Sequence, residues 1–209
     1  HHPNERNPNL EDRDLNDDNS QYSLEDAIFV AGFLNMLQRH GEYVSLANFS
    51  PLVNVRGLIY TNKEDIVLRP AYHVFDLYRN KLGNQLLFSY VSGSEYINID
   101  SDDTSKQVPL VEISATKKEE DNKISLSIIN RSNEEKNCEL QLINESIKKP
   151  INSFTITSNS PKDYNDVFKP DNVTVQESYI DLKKESIKNL SFSLPSYSVN
   201  IIEFELDSR

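Results

Sequence analysis

Residues 123–130 read KISLSIIN, with Ile124, Leu126 and Ile128 separated by Ser125 and Ser127. A period of two sends successive side chains to opposite faces, the mark of a strand with one face buried. The same period returns at Leu140 and Leu142 in CELQLI (138–143) and at Leu190 and Phe192 in LSFSL (190–194). Five further short runs, LLFSYV (86–91), PLVEISA (109–115), SFTIT (153–157), VTVQ (173–176) and YSVNIIEFEL (197–206), are set off by polar turns. Eight such strands predict an antiparallel β-sandwich or jelly roll. Ile124, Leu126, Ile128, Phe192, Leu194 and Ile201 are expected to point inward, because a one-residue slip would turn all of them to water.

Working back toward the N-terminus, the composition changes once. All five glycines fall at or before Gly93, and the following 116 residues turn on Asn, Asp, Ser and Pro instead. A boundary is therefore expected between about residues 84 and 100. Ahead of it, SLEDAIFVAGFLNMLQRH (23–40) opens with Ser23 and Asp26 in capping-box spacing and closes with basic residues before Gly41, which predicts a helix. That helix is apolar nearly all round and needs partners on more than one side. Residues 44–49 are a short, nearly continuous apolar run of the kind found in a parallel strand buried on both faces. A long loop then leads to Pro70, and a second helix is expected with Ala71, Val74, Phe75, Tyr78 and Leu82 on one face, ending at Gly83. Helix, strand and helix in that order are an α/β arrangement. Residues 1–20 hold six acids, two arginines, two prolines and five asparagines and are expected to form an acidic surface loop or a frayed end.

Composition narrows the function. The 209 residues carry 22 Lys plus Arg against 33 Asp plus Glu, a net charge of −11 that repels phosphate backbones and anionic lipid. Nucleic acid and membrane are thus not expected as partners, and no apolar stretch approaches the ~20 residues of a membrane span. The single cysteine, Cys138, excludes an internal disulfide and reads as a small core residue in an alternating run. It agrees with a cytoplasmic protein. His40 and His73 lie on different helices without metal-ligand spacing, and His1 and His2 are a terminal pair, so no metal site is expected. No phosphate loop, dinucleotide fingerprint or serine-nucleophile elbow occurs.

Carboxylates are plentiful, but no pair is placed on rigid ends as a glycosidase requires. Glu25 and Asp26 suit a first helical turn, and Glu203 and Glu205 share one face of a strand; solvated or capping roles are expected for them. The better-placed stretch is 48–56. If 44–49 is a barrel strand, these residues lie at the C-terminal face where barrel active sites are built. Asn54 and Arg56 read equally well as site residues or as parts of a structural turn.

Five segments together, SLEDAIFVAGFLNMLQRH, VSLANFSPLVNVRGLIY, NRSNEEKNCELQL, YNDVFKPDNVTV and LPSYSVNIIEFEL, resemble in order the C-terminal part of α-L-arabinofuranosidases of glycoside hydrolase family 51. The resemblance covers about residues 22–206. It implies the C-terminal end of a (β/α)8 TIM barrel (helix 7, strand 8 and helix 8, within 22–83) after an acidic segment at 1–21, followed by an antiparallel β-sandwich at 84–209. It implies retaining hydrolysis of terminal non-reducing α-L-arabinofuranosyl groups from arabinose-containing saccharides, with no cofactor, in a homo-oligomeric parent protein. The two catalytic glutamates of the family would end barrel strands 4 and 7, upstream of this chain, so no catalytic residue is expected within it. Where similar enzymes carry a Gln that reaches the sugar, this chain has Pro51. Asn48, Ser50 and Asn54 are then the residues expected to bind substrate. The competing reading is a noncatalytic carbohydrate-binding or structural sandwich, against which stands the absence of Trp, the usual sugar-stacking platform.

Overall fold

The computed structural model describes residues 19–99, 103, 105–118, 120, 122–180 and 186–207. The acidic segment expected at 1–21 and the pair His1 and His2 fall outside them, save for a 3-10 turn at Asn19–Gln21. Two helices, α1 (Leu24–Arg39) and α2 (Pro70–Lys81), pack on one face of a large antiparallel sheet. The chain order of strands is β1 (Ile59–Thr61), β2 (Ile66–Leu68), β3 (Gln85–Leu87), β4 (Tyr96–Asn98), β5 (Gln107–Pro109), β6 (Val111–Lys118) and β7 (Lys123–Asn130). It continues with β8 (Lys136–Gln141), β9 (Ile147–Ile156), β10 (Val175–Ile180), β11 (Ser186–Ile187), β12 (Asn189–Leu194) and β13 (Ser198–Leu206). The large sheet runs β10-β9-β13-β7-β6-β3, with β11 also on β9; β12 and β8 form a second, two-stranded layer.

Local chemistry accounts for the helices. Ser23 donates its N–H to the Asp26 carboxylate at 2.8 Å, while the N–H groups of Leu24 and Glu25 donate to the carbonyls of Asp163 and Pro161 at 2.8 and 2.9 Å. A loop from the sandwich thereby satisfies donors that a helix start leaves open. Pro70 opens α2, where its missing N–H is no loss. The chain leaves α2 through Gly83, where a Cβ would stand 2.2 Å from the Lys117 carbonyl oxygen, so only glycine lets the backbone pass this close to β6.

The large sheet is buried on both sides. Toward the helices, Ile129, Phe154, Ile156, Val199 and Ile201 meet Leu24, Ala27, Ala31, Val74 and Leu77. Toward the second layer, Ile124, Leu126, Ile128, Ile202 and Phe204 meet Leu190 and Leu194. Of the six residues expected to face the sandwich interior, Ile124, Leu126, Ile128 and Leu194 do so fully and Phe192 is half-buried there. Ile201 is buried on the other face, against the helices. On β13, alternation sends 199 and 201 one way and 202 and 204 the other, so one strand serves two cores. Glu112 locks the first core at its rim: it takes Arg39 of α1 at 2.8 Å and Arg131 at 2.6 Å.

Several expectations need correction. Residues 44–49 are not a strand: beyond the Val44 N–H on the His40 carbonyl they make no backbone hydrogen bond to a described residue, and Leu46 is 75% exposed. A strand exists only as a ladder, and nothing among the described residues lies alongside. The expected helix-strand-helix is therefore two helices with no strand at 44–49 between them. The loop before Pro70 instead contains the β1-β2 hairpin. LLFSYV pairs only at Leu86 and Leu87, leaving Phe88 and Tyr90 exposed, and the strand read at 173–176 lies two residues later.

Candidate functional site

The stretch singled out by its sequence, 48–56, lies in a segment, 48–61, that is braced by a buried cation. Arg69, 1% exposed, donates through Nε to Asn19 Oδ1 at 3.0 Å and through Nη1 to the Gly57 carbonyl at 2.6 Å and the Val55 carbonyl at 3.4 Å. Its guanidinium lies 3.7 Å from the Tyr22 ring centroid, and the Tyr22 hydroxyl donates to the Val55 carbonyl at 2.9 Å. A planar cation with several donors suits this task, holding carbonyls in its plane and a ring against its face.

Within the loop Asn54 is the pivot. Asn54 and Val55 adopt φ of 55° and 47°, the left-handed region in which asparagine is enriched and a β-branched residue is not. The Asn54 N–H donates to the Ile59 carbonyl at 2.7 Å, its carbonyl accepts from Gly57 at 2.6 Å, and its Oδ1 accepts the Thr61 N–H at 2.7 Å. Gly57 is required because a Cβ would sit 2.4 Å from the Leu52 carbonyl oxygen. Asn54 thus makes the turn, with one side-chain atom committed to the hairpin. Asn48 and Ser50 stand on the exposed stretch before it, flanking the half-buried Phe49, whose ring meets Phe75 of α2 edge-on at 5.7 Å. Neither Asn48 nor Ser50 makes a side-chain hydrogen bond to a described residue, and the Ser50-Pro51 peptide is cis. The three expected substrate contacts therefore share one segment but no hydrogen bond with one another. The alternation and apolar-run signals gave no hint of Arg69, which holds the whole segment; an arginine directly before a helix-opening proline was the only clue.

The arrangement offers neutral hydrogen-bonding groups and no acid-base pair of its own. Two carboxylates are buried in the described chain, Glu112 and Glu203. Glu112 is spent on two arginines. Glu203, expected to be solvated, is 5% exposed, and burial raises its pKa above the ordinary carboxylate value against the pull of Lys123, Lys81 and Lys118. By register Glu112 is opposite Ile129, which is opposite Val199, four residues before Glu203. Strand geometry puts the two Cα atoms about 13 Å apart along the strands and ~10 Å across them, roughly 16 Å in all. Glu112 is held between two arginines and stands two strands away from Glu203, so the two are not placed as the carboxyl pair of a glycosidase. Among the described residues no cluster of His, Cys, Asp or Glu is arranged for a metal ion, and no helix is long and apolar enough to cross a membrane. Cys138 is half-buried on β8 with its thiol pKa pushed up by that burial, away from reactivity.

Residues 4–198 match the family described as the α-L-arabinofuranosidase C-terminal domain. The chain belongs to that family. It is 25% identical over 193 residues to an intracellular exo-α-L-arabinofuranosidase of Bacteroides ovatus, a match covering 88% of this chain and 35% of the relative. Among solved structures, the family 51 α-L-arabinofuranosidase of Thermotoga petrophila superposes with a TM-score of 0.76 at 26% identity, covering 88% of this chain and 39% of that one. The arabinose complex of the Thermotoga maritima enzyme does so with a TM-score of 0.74 at 25% identity, covering 87% and 38%. The chain thus spans little more than a third of these relatives. As a member of the arabinofuranosidase C-terminal domain family, it has the antiparallel sandwich that the alternating runs predict.

Proposed function

We propose that this chain works as the C-terminal portion of a retaining α-L-arabinofuranosidase, removing terminal arabinofuranosyl groups from arabinose-containing saccharides. The observation that carries the reading is the family match along 4–198, together with a relative about two and a half times as long as this chain. The carboxylates support it, because of the two buried acids Glu112 is committed to Arg39 and Arg131 and Glu203 stands two strands away, which leaves the catalytic pair to the portion that the relatives have beyond this match. In this reading 22–83 completes a barrel: 44–49 becomes its strand 8 once strands 7 and 1 flank it, and α1 and α2 are its helices 7 and 8. Asn48 and Ser50, exposed and without side-chain hydrogen bonds, then face the furanoside and orient its hydroxyls. Asn54 acts beneath them by shaping the turn, and its free amide nitrogen is its remaining means of touching substrate. A homo-oligomeric, cytoplasmic parent enzyme agrees with the same assignment.

The test uses an aryl α-L-arabinofuranoside. The 209-residue chain is expected to show no turnover, and a polypeptide in which a complete barrel precedes it to be active. In that longer polypeptide, Asn48→Ala should lower kcat/KM by about tenfold, the scale of one lost orienting hydrogen bond to a neutral group, with melting unchanged. Turnover by the 209-residue chain that disappears on replacing one of its own carboxylates would overturn the assignment.

A further inference from the structure

Between the two layers of the sandwich, where β12 stops short of covering β9 and β10, lies a groove of about 450 Å³. Its floor is set by register. Gln176, Thr155 and Asn200 form one cross-strand row over β10, β9 and β13, and Ser178 and Ser153 begin the next, which ends at Ile202. These positions alternate in phase with Ile151, Ile202 and Phe204, and so belong to the face that elsewhere forms the apolar inter-sheet core. Along the same strands the face changes from isoleucine and phenylalanine to hydroxyls and amides.

We propose that this groove binds one or two units of a neutral saccharide, at a site separate from the 48–61 segment. The polar groups on this face are exposed at Gln176 and Ser178, half-buried at Ser153 and Thr155 and buried at Asn200, and a ligand that desolvates them must replace the hydrogen bonds of water. One of them is already fixed: Asn200, 2% exposed, accepts from Thr155 at 3.0 Å and donates to the Ile128 carbonyl at 3.3 Å and Ser198 Oγ at 2.9 Å. The side chains of Ser153, Gln176 and Ser178 have no hydrogen bond to any described residue and open into the groove. Polar rows about 4.8 Å apart across strands and ~7 Å along them match the spread of hydroxyls around a sugar ring, each hydroxyl able to donate and accept. Half-buried Phe192 supplies an apolar wall for the ring's C–H face. Among the described lining residues Glu177 is the one charged group, so nothing there calls for a cation-bearing or anionic ligand. The size falls within the roughly 300–1,000 Å³ of small-molecule clefts.

The experiment is a chemical-shift titration of the isotope-labelled 209-residue chain with an arabino-oligosaccharide and a xylo-oligosaccharide, with glycerol as control. Saturable shifts confined to the amides of β9, β10, β12 and β13 are expected with at least one oligosaccharide, at roughly millimolar affinity for so open a groove. Gln176→Ala should weaken binding by about threefold to tenfold, one net hydrogen bond. Ser178→Trp, at an exposed edge-strand position, should abolish it while the core amides keep their dispersion. Absence of saturable shifts, equal shifts with glycerol, or binding that survives Ser178→Trp would each overturn the proposal. None of these outcomes bears on the arabinofuranosidase reading, which rests on other residues.

Discussion

Strand β7 and the stretch 44–49 look alike on paper, each a short run rich in Val, Ile, Leu or Phe, yet only one becomes a strand. β7 is paired along its whole length, with β6 on one side and β13 on the other. Its residues are buried on both faces from Ile124 onward. Residues 45–49 make no backbone hydrogen bond to a described residue, and Leu46, Ala47 and Asn48 stand exposed. Strand propensity is thus a statement about what a sequence accepts, and partners decide whether it is realised. The difference also separates roles: β7 ties together two cores, while the unpaired stretch carries the residues proposed to meet substrate.

Truncation should expose this contrast most strongly. Ile129→Ala, in the core shared by helices and sheet, should cost about 2–5 kcal/mol in chemical denaturation. Leu46→Ala should change stability by no more than ~0.5 kcal/mol. Equal effects would show that 44–49 is packed in solution. Next in size is Glu112→Gln, which leaves the partly buried guanidinium of Arg131 without its charge partner and should cost ~3 kcal/mol. Tyr78→Phe should cost about 1–3 kcal/mol. Burial keeps that phenol neutral, its pKa pushed far up, and its hydroxyl lies 2.7 Å from Asn35 Oδ1 and 2.5 Å from Ser127 Oγ. Hydrogen exchange sharpens the comparison: amides of β7 should be protected to near the global stability and those of 45–49 hardly at all. In a polypeptide that completes the barrel, protection should appear at 45–49.

The smallest effect is a pH dependence. Because burial raises the Glu203 carboxyl above its ordinary 4.5, the folded chain binds this proton at a higher pH than the unfolded chain. The group's favourable contribution is therefore complete below the unfolded value and is lost as pH rises through the folded one. Glu203→Gln should raise the melting temperature near neutral pH, and the gain should vanish in acid. A gain that is the same at all pH values would exclude the carboxyl's charge as its cause.

Much of the candidate site was legible at the level of position and little at the level of role. The position just past an expected strand that made 48–56 conspicuous led to a real, braced loop, although 44–49 is not that strand here. Whether Asn54 is a turn former depends on φ and on the Thr61 amide seven residues away, neither of which has a local pattern. Arg69 was invisible because its partners, Asn19, Tyr22, Val55 and Gly57, are scattered along the chain. The polar rows of the groove were missed for a similar reason: Gln176, Thr155 and Asn200 become neighbours only through register.

By itself, the sequence determined what depends on neighbours a few residues apart. The two helices follow from their caps and from Pro70, and the sandwich strands follow from a period of two that pleated backbone converts into faces. Tertiary structure decided everything that needs a second segment. It chose which apolar run finds a ladder and which of β13's two faces meets the helices. It buried Glu203 where alternation suggested water, and it gathered Arg69's carbonyls around one guanidinium. The physical reason is that hydrogen-bonded pairing and desolvation belong to pairs of segments, and a single run of residues contains only one member of each pair.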